Sequence, residues 1–99
     1  MQPRQYVRRI DVQHVFAIWI AGLLKTGTEQ EKVDRLADIL DGLLAVPGAE
    51  DIQQRHEYES VRQRTRDLKP YGPGVASLGN VLIDLSWELS RRAIIRSPD

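Results

Sequence analysis

Apolar residues recur along the chain at the three-to-four-residue spacing of amphipathic helices, and no stretch alternates apolar and polar residues over a useful length. Two breaks rich in proline and glycine, at 46–48 and 69–74, and a softer break at 26–28 divide the chain into four segments. The pattern predicts helices at about 11–25, 29–45, 49–68 and 75–96. We therefore expect an all-α fold, a small domain resembling a four-helix bundle.

The second segment carries the clearest helical signal. Thr28 is followed three residues later by Glu31, which is the pattern of a capping box at a helix N-terminus. The segment then places its apolar residues in one stripe that ends before Pro47: Val33, Leu36, Ala37, Leu40, Leu43 and Leu44. The third segment, by contrast, has only a thin apolar stripe.

Composition narrows the class of protein. The chain has 99 residues, 41% of them hydrophobic, with 14 basic and 14 acidic residues and no cysteine. We expect a single domain over 1–99, with 1–9 as an extended N-terminal arm. The absence of cysteine excludes a disulfide scaffold, a cysteine nucleophile and a thiolate metal site. The longest apolar run, 15–24, is too short to span a bilayer. With no cysteine and no targeting segment in the sequence, we expect a cytoplasmic protein.

The first and last helices carry more apolar residues than a bundle of this size can cover. Opposite the leucine face of the fourth helix lies a second stripe of Ile83, Trp87 and Ile94. The first helix is apolar almost all round, with Trp19 in its main arc and Ile18 outside it. Ile83, Trp87 and Ile94 are scattered exposed residues, or they are covered by residues 1–10, or they form a protein interface. The simplest interface is a two-fold homodimer in which the fourth helix meets its mate.

Two charged stripes follow the middle helices, an acidic one on the second helix and a basic one on the third. The acidic stripe consists of Glu31, Asp34, Asp38 and Asp41, and the basic stripe of Arg55, Arg62, Arg66 and Lys69. The plainest interpretation is two solvated faces, opposed across the hairpin as exposed ion pairs. Alternatively, the basic stripe binds the phosphates of a nucleic acid, or the acidic stripe binds in a basic groove on a partner protein.

Candidate catalytic or metal-binding chemistry is sparse. Asp11 with His14, and His56 with Glu59, each offer two ligands at helical spacing, which is too few for a metal site. The sequence contains no nucleophile elbow, glycine-rich phosphate loop or HExxH motif. We therefore predict no metal, no cofactor and no enzymatic activity.

One spacing points to a more remote alternative. Arg9 and His14 form R-x4-H, which resembles the motif of the all-α ribonucleases of the HEPN superfamily. Those enzymes usually carry a polar residue directly after the arginine, and here Ile10 stands there. The resemblance implies a dimeric ribonuclease whose arginine and histidine meet in a cleft between two protomers.

The sequence favours a small non-catalytic interaction module, an adaptor, regulator or inhibitor. It would self-associate or dock on a larger protein through the apolar stripes of its first and last helices. The expected interface residues are Ile83, Trp87, Ile94, Ile18 and Trp19. The alternative is a nucleic-acid-binding regulator that uses the basic stripe of the third helix.

Overall fold

The computed structural model describes residues 8–69 and 71–92, and this part of the chain is helical without strands. Four α-helices follow one another, with a short 3-10 turn at Ala49–Asp51 between the second and the third. Their bounds are α1 Arg9–Leu23, α2 Glu29–Leu44, α3 Arg55–Asp67 and α4 Val75–Arg91. The predicted all-α class is confirmed.

Three helices lie close to their predicted positions. The helix α1 begins two residues before the predicted start, and Arg8 precedes it with extended backbone. The predicted arm over 1–9 otherwise lies outside the described residues. The helix α2 begins after Thr28 with the predicted capping box, whose two hydrogen bonds are both formed. The helix α4 ends at Arg91, short of the predicted 96, and residues 93–99 lie outside the described part.

The third helix begins six residues later than the predicted start at 49, because a 3-10 turn and an extended residue precede it. After Pro47, Gly48 adopts a positive φ of 95° and turns the chain into the 3-10 turn. Ile52 is then extended and buried in the core, and α3 begins only at Arg55. The guanidinium of Arg55 donates to the carbonyls of Leu44 and Ala49, each at 2.9 Å. The Leu44 carbonyl lies at the end of α2, where helical carbonyls lose their partners within the helix, so the bonds from Arg55 stabilise the break between α2 and α3.

The core lies between α2 and α4. Both helices bury a leucine stripe whose most deeply covered members are Leu36, Leu40, Leu78, Leu82, Leu85 and Leu89. The turn adds Ala49 and Ile52 to this core, and α3 adds Tyr58. The helix α3 packs mainly against α2, whereas α1 packs mainly against α4. As a result α1 lies at one side of the molecule with a single principal neighbour.

Candidate protein-interaction surface

The predicted interface residues differ in how far they reach solvent. On α1, Ile18 is 60% exposed and Trp19 is 37% exposed. On α4, Ile83 and Trp87 are half-buried, and Ile83 packs against the core. Ile94 lies outside the described residues. Among the predicted interface residues that the structure describes, those that are exposed to solvent therefore lie on the first helix.

The exposure of α1 follows from its composition and its position. The helix buries Val12, Phe16 and Ile20, which share one side at i, i+4, i+8 spacing. Since α1 packs mainly against α4, apolar residues outside this strip remain uncovered. Ile10, at 68% exposure, is one of them, and the sequence analysis did not select it. The predicted helix began after Ile10, so its place on the helix surface was not visible.

We call the solvent-facing side of α1 its outer face. It comprises the exposed residues opposite the buried strip, namely Ile10, Asp11, His14, Ile18, Ala21, Gly22 and, just after the helix, Lys25. Trp19 lies at one edge of this face. Its ring meets that of Phe16 edge-to-face, with centroids 6.0 Å apart. This contact packs the Trp19 ring against a buried residue.

The charged residues of the outer face lie at its two ends. Near the N-terminus, Arg8 holds Asp11 through two bonds, from Nε to Oδ2 at 2.8 Å and from Nη2 to Oδ1 at 3.0 Å. These bonds lower the pKa of Asp11 from its usual value. At the other end, Lys25 is exposed and forms no ion pair with any residue in the described ranges. Between these ends the face is apolar or small, except at His14.

A shallow groove of about 550 Å³ lies beside the outer face, where α1 meets α4. Its lining residues are Ile10, Gln13, His14, Ala17, Asn80, Ile83 and Asp84. At its border Asp84 accepts a hydrogen bond from Gln13 at 3.4 Å and forms an ion pair with Arg9 at 3.7 Å. The groove therefore joins apolar positions on both helices to a polar border.

Arg9 and His14, the two residues of the R-x4-H spacing, both lie on α1 in this region. Arg9 reaches across α1 to Asp84, whereas His14 is exposed on the outer face. Five residues correspond to about 140° around a helix, so the two side chains leave different sides of α1. Arg9 and His14 of one chain therefore do not form a common site. The ribonuclease alternative, in which they would meet across a cleft between two protomers, stays a prediction.

The basic stripe of α3 is occupied by contacts within the chain. Arg62 Nε lies 3.3 Å from Asp41 Oδ1, and Arg66 also pairs with Asp41. Lys69 pairs with Asp34 at 2.5 Å and lowers the pKa of that carboxyl. Arg55 pairs with Glu59 at 3.1 Å, besides capping carbonyls. The interpretation of two faces that pair across the hairpin is thus confirmed for Asp34 and Asp41.

A second apolar surface lies at the loop between α3 and α4. Leu68 is 50% exposed and Tyr71 is almost fully exposed. Both line a groove of about 330 Å³ together with Val61, Arg64, Gly72, Pro73, Ser77 and Val81. This surface lies on other helices than the outer face of α1, so its large apolar residues provide matched controls.

Comparison of the chain with protein-family models, curated proteins and solved structures gave no match. In the described ranges no three histidine or acidic side chains come together as a group that could hold a metal ion. None of the described helices is long and apolar enough to cross a membrane.

Proposed function

We propose that this protein is a small non-catalytic interaction module that self-associates through the outer face of α1. The observation that carries the proposal is the exposure of Ile10 and Ile18 on a helix with one principal neighbour. An isolated exposed isoleucine is ordinary, but several large apolar side chains on one helix form a contact surface. The Trp19 ring, which packs edge-to-face against Phe16 at the edge of this face, adds an anchor of the kind that interfaces favour.

The charges on the module favour a protein contact over a nucleic-acid contact. Each member of the basic stripe of α3 already pairs with a carboxylate on α2 or α3. Binding phosphates would require these pairs to exchange partners, which reduces the gain from each cation. On the outer face of α1, Asp11 is already paired with Arg8, which leaves Lys25 as the one charged residue of this face without an ion pair in the described ranges. An apolar contact with a second copy of the chain therefore brings little excess charge together.

The test is the mass of the protein in solution, measured by light scattering behind a sizing column at several concentrations and at low and high salt. We expect a wild-type dimer that persists at high salt, because its contact is mainly apolar. An interface built from one helix pair is small, so we expect the dimer to dissociate on dilution. Ile18→Glu should give a monomer, because it places two like charges in the contact.

The matched control is Leu68→Glu, which changes an apolar residue of similar exposure on the far loop. It should leave the mass unchanged. Circular dichroism checks that both variants remain helical. A wild type that is monomeric at all concentrations would contradict the proposal, and so would a dimer that Ile18→Glu leaves intact. If Leu68→Glu alone breaks the dimer, the contact lies at the loop between α3 and α4.

A further inference from the structure

The buried strip of α1 is divided between two environments. Ile20, near the C-terminal end of the helix, belongs to the core that α2 and α4 form, and Leu24 packs against that core. Val12 and Phe16 are buried to a similar extent, but they lie outside this core on a helix that packs mainly against α4. The packing of these two residues can therefore be lost without loss of packing in the core.

A side chain of α2 holds the C-terminal end of α1. The guanidinium of Arg35 donates to the Leu23 carbonyl and, at 3.2 Å, to the Thr26 carbonyl. Gly27 follows with a positive φ of 106°, and a Cβ added there would come within 3.3 Å of the same guanidinium. These bonds satisfy carbonyls at the end of α1 and beyond it, and they hold the connection to α2 in one conformation.

The N-terminal end of α1 has weaker attachments within the described residues. Arg8 stands at the N-cap, but its side chain forms no capping hydrogen bond to the first amides of the helix. The polar contacts with α4 converge on Asp84, which accepts from Gln13 at 3.4 Å and pairs with Arg9 at 3.7 Å. The side chains of Arg9 and Asp84 are both more than half exposed, and exposed ion pairs contribute little to stability.

We propose that α1 is a hinged cover of α4, which opens from its N-terminal end while α2, α3 and α4 stay folded. The hinge is the C-terminal end of α1, which Arg35 and the burial of Ile20 hold in place. The contacts that break are the packing of Val12 and Phe16 and the polar contacts of Asp84. Opening uncovers these two apolar side chains and the part of α4 beneath them, so this apolar surface is present only in the open form. The inference does not depend on the proposed self-association.

Single buried cysteines measure this opening, because the chain contains no cysteine of its own. A thiol reagent reacts with Val12→Cys only in molecules in which that position is uncovered. The matched control is Val33→Cys, which replaces a buried valine of the core on α2. Without urea, Val12→Cys should react at least about tenfold faster than Val33→Cys, since a local opening costs less free energy than global unfolding. Urea should accelerate the control far more, because global unfolding exposes more surface.

A third cysteine position tests where the hinge lies. Ile20→Cys should react more slowly than Val12→Cys, because an opening from the N-terminal end leaves position 20 in the core. Equal rates at these two positions would show that α1 leaves as a whole and would overturn the hinge. If Val12→Cys and Val33→Cys react equally and respond equally to urea, α1 opens only when the domain unfolds, and the proposal is wrong. Urea unfolding of each variant corrects the rates for its own stability.

Removal of the charge at the N-terminal attachment gives an independent measurement. Asp84→Asn should speed the reaction of Val12→Cys about threefold, because the exposed ion pair with Arg9 is lost. Asp38→Asn, which neutralises an exposed carboxylate on α2, is the control and should leave the rate unchanged. An equal effect of both substitutions, or no effect of Asp84→Asn, would overturn the role of Asp84 in holding α1 closed. All rates are measured at a protein concentration that gives a monomer by light scattering, so failure of the proposed function leaves this test unaffected.

Discussion

At the start of α2, two side-chain contacts link local stability to a titrating group. Thr28 Oγ1 accepts a bond from the Glu31 backbone N–H at 3.1 Å, and Glu31 Oε1 accepts one from the Thr28 N–H at 2.9 Å. The bonds from Thr28 lower the pKa of Glu31. The charged carboxylate therefore stabilises the fold fully above its unfolded pKa of about 4.3, and this contribution is lost as pH falls through the lower folded pKa.

We predict that Glu31→Gln removes part of the loss of stability in acid. The glutamine oxygen can still accept the Thr28 N–H, but it carries no charge that protonation could remove. Urea unfolding between pH 3 and 7 measures the effect as a shallower fall of the unfolding free energy. Glu29→Gln, on the same turn but outside the capping box, is the control. An equal change of slope in both variants would contradict a specific role of the capping box.

This contact could be predicted from the sequence because it is local. The Thr28–Glu31 pattern specifies both of its bonds within four residues of chain. The role of Arg55 could not be predicted in the same way. Its guanidinium reaches back 11 residues to Leu44, and only the folded path of the turn brings the two groups together. Sequence patterns thus identify capping by neighbours but not capping by distant side chains.

At the scale of the elements, two glycines lie in contrasting surroundings, one inside a helix with open space beside it and one in a closely packed loop. Gly42 lies inside α2, and a Cβ added there would meet nothing within 4 Å. Gly72 lies in the loop before α4, where an added Cβ would come within 2.9 Å of the Arg64 carbonyl oxygen. This oxygen belongs to the backbone near the end of α3, so it cannot move aside at little cost.

The same substitution should therefore have opposite effects at these two positions. Gly42→Ala should stabilise the protein by about 0.5–1 kcal/mol, because alanine reduces the entropy that the helix costs. Gly72→Ala should destabilise it by about 1–3 kcal/mol through overpacking against α3. Denaturant unfolding of both variants beside the wild type measures the two signs. A destabilised Gly42→Ala, or a neutral Gly72→Ala, would contradict the assigned packing.

A comparison of the four helices shows where the spacing of apolar residues is sufficient to predict the position of a helix. In α2 and α4 the leucine stripes are long and regular, and both helices were predicted with the correct start. In the third segment the apolar residues were too few to predict that Ile52 has an extended backbone and not a helical one where it enters the core. A break of this kind depends on core space that α2 and α4 define, and that space is a tertiary property.

At the scale of the whole molecule, the order in which the helices pack decides which of the extra apolar residues on α1 and α4 are covered by a neighbouring helix. The sequence indicated that the first and last helices both carried more apolar residues than four helices could hide. It could not indicate which helix would be central, because both patterns are similar. Since α4 lies between α1 and α2, Ile83 and Trp87 on its second stripe are half-buried, and α1 keeps exposed apolar residues. The candidate interface thus follows from helix order.

The same position makes α1 the helix whose dynamics should respond to self-association. A helix with one principal neighbour opens locally at lower free energy than helices in the centre of a core. Dimer formation through the outer face covers α1 on its second side, and binding to the folded state raises stability by mass action. We therefore predict that amide hydrogen exchange in α1 slows as protein concentration rises, and slows more than exchange in α2.

Hydrogen-exchange mass spectrometry at low and high concentration measures this difference segment by segment. In Ile18→Glu the concentration dependence of α1 should disappear, whereas Leu68→Glu should retain it. Exchange that slows equally in all helices would indicate that dimer formation stabilises the fold as a unit without covering α1 in particular. If protection from hydrogen exchange rises with concentration around the loop between α3 and α4 and does not change in α1, the interface lies at Leu68 and Tyr71. Only selective protection of α1 agrees with a contact made by its outer face.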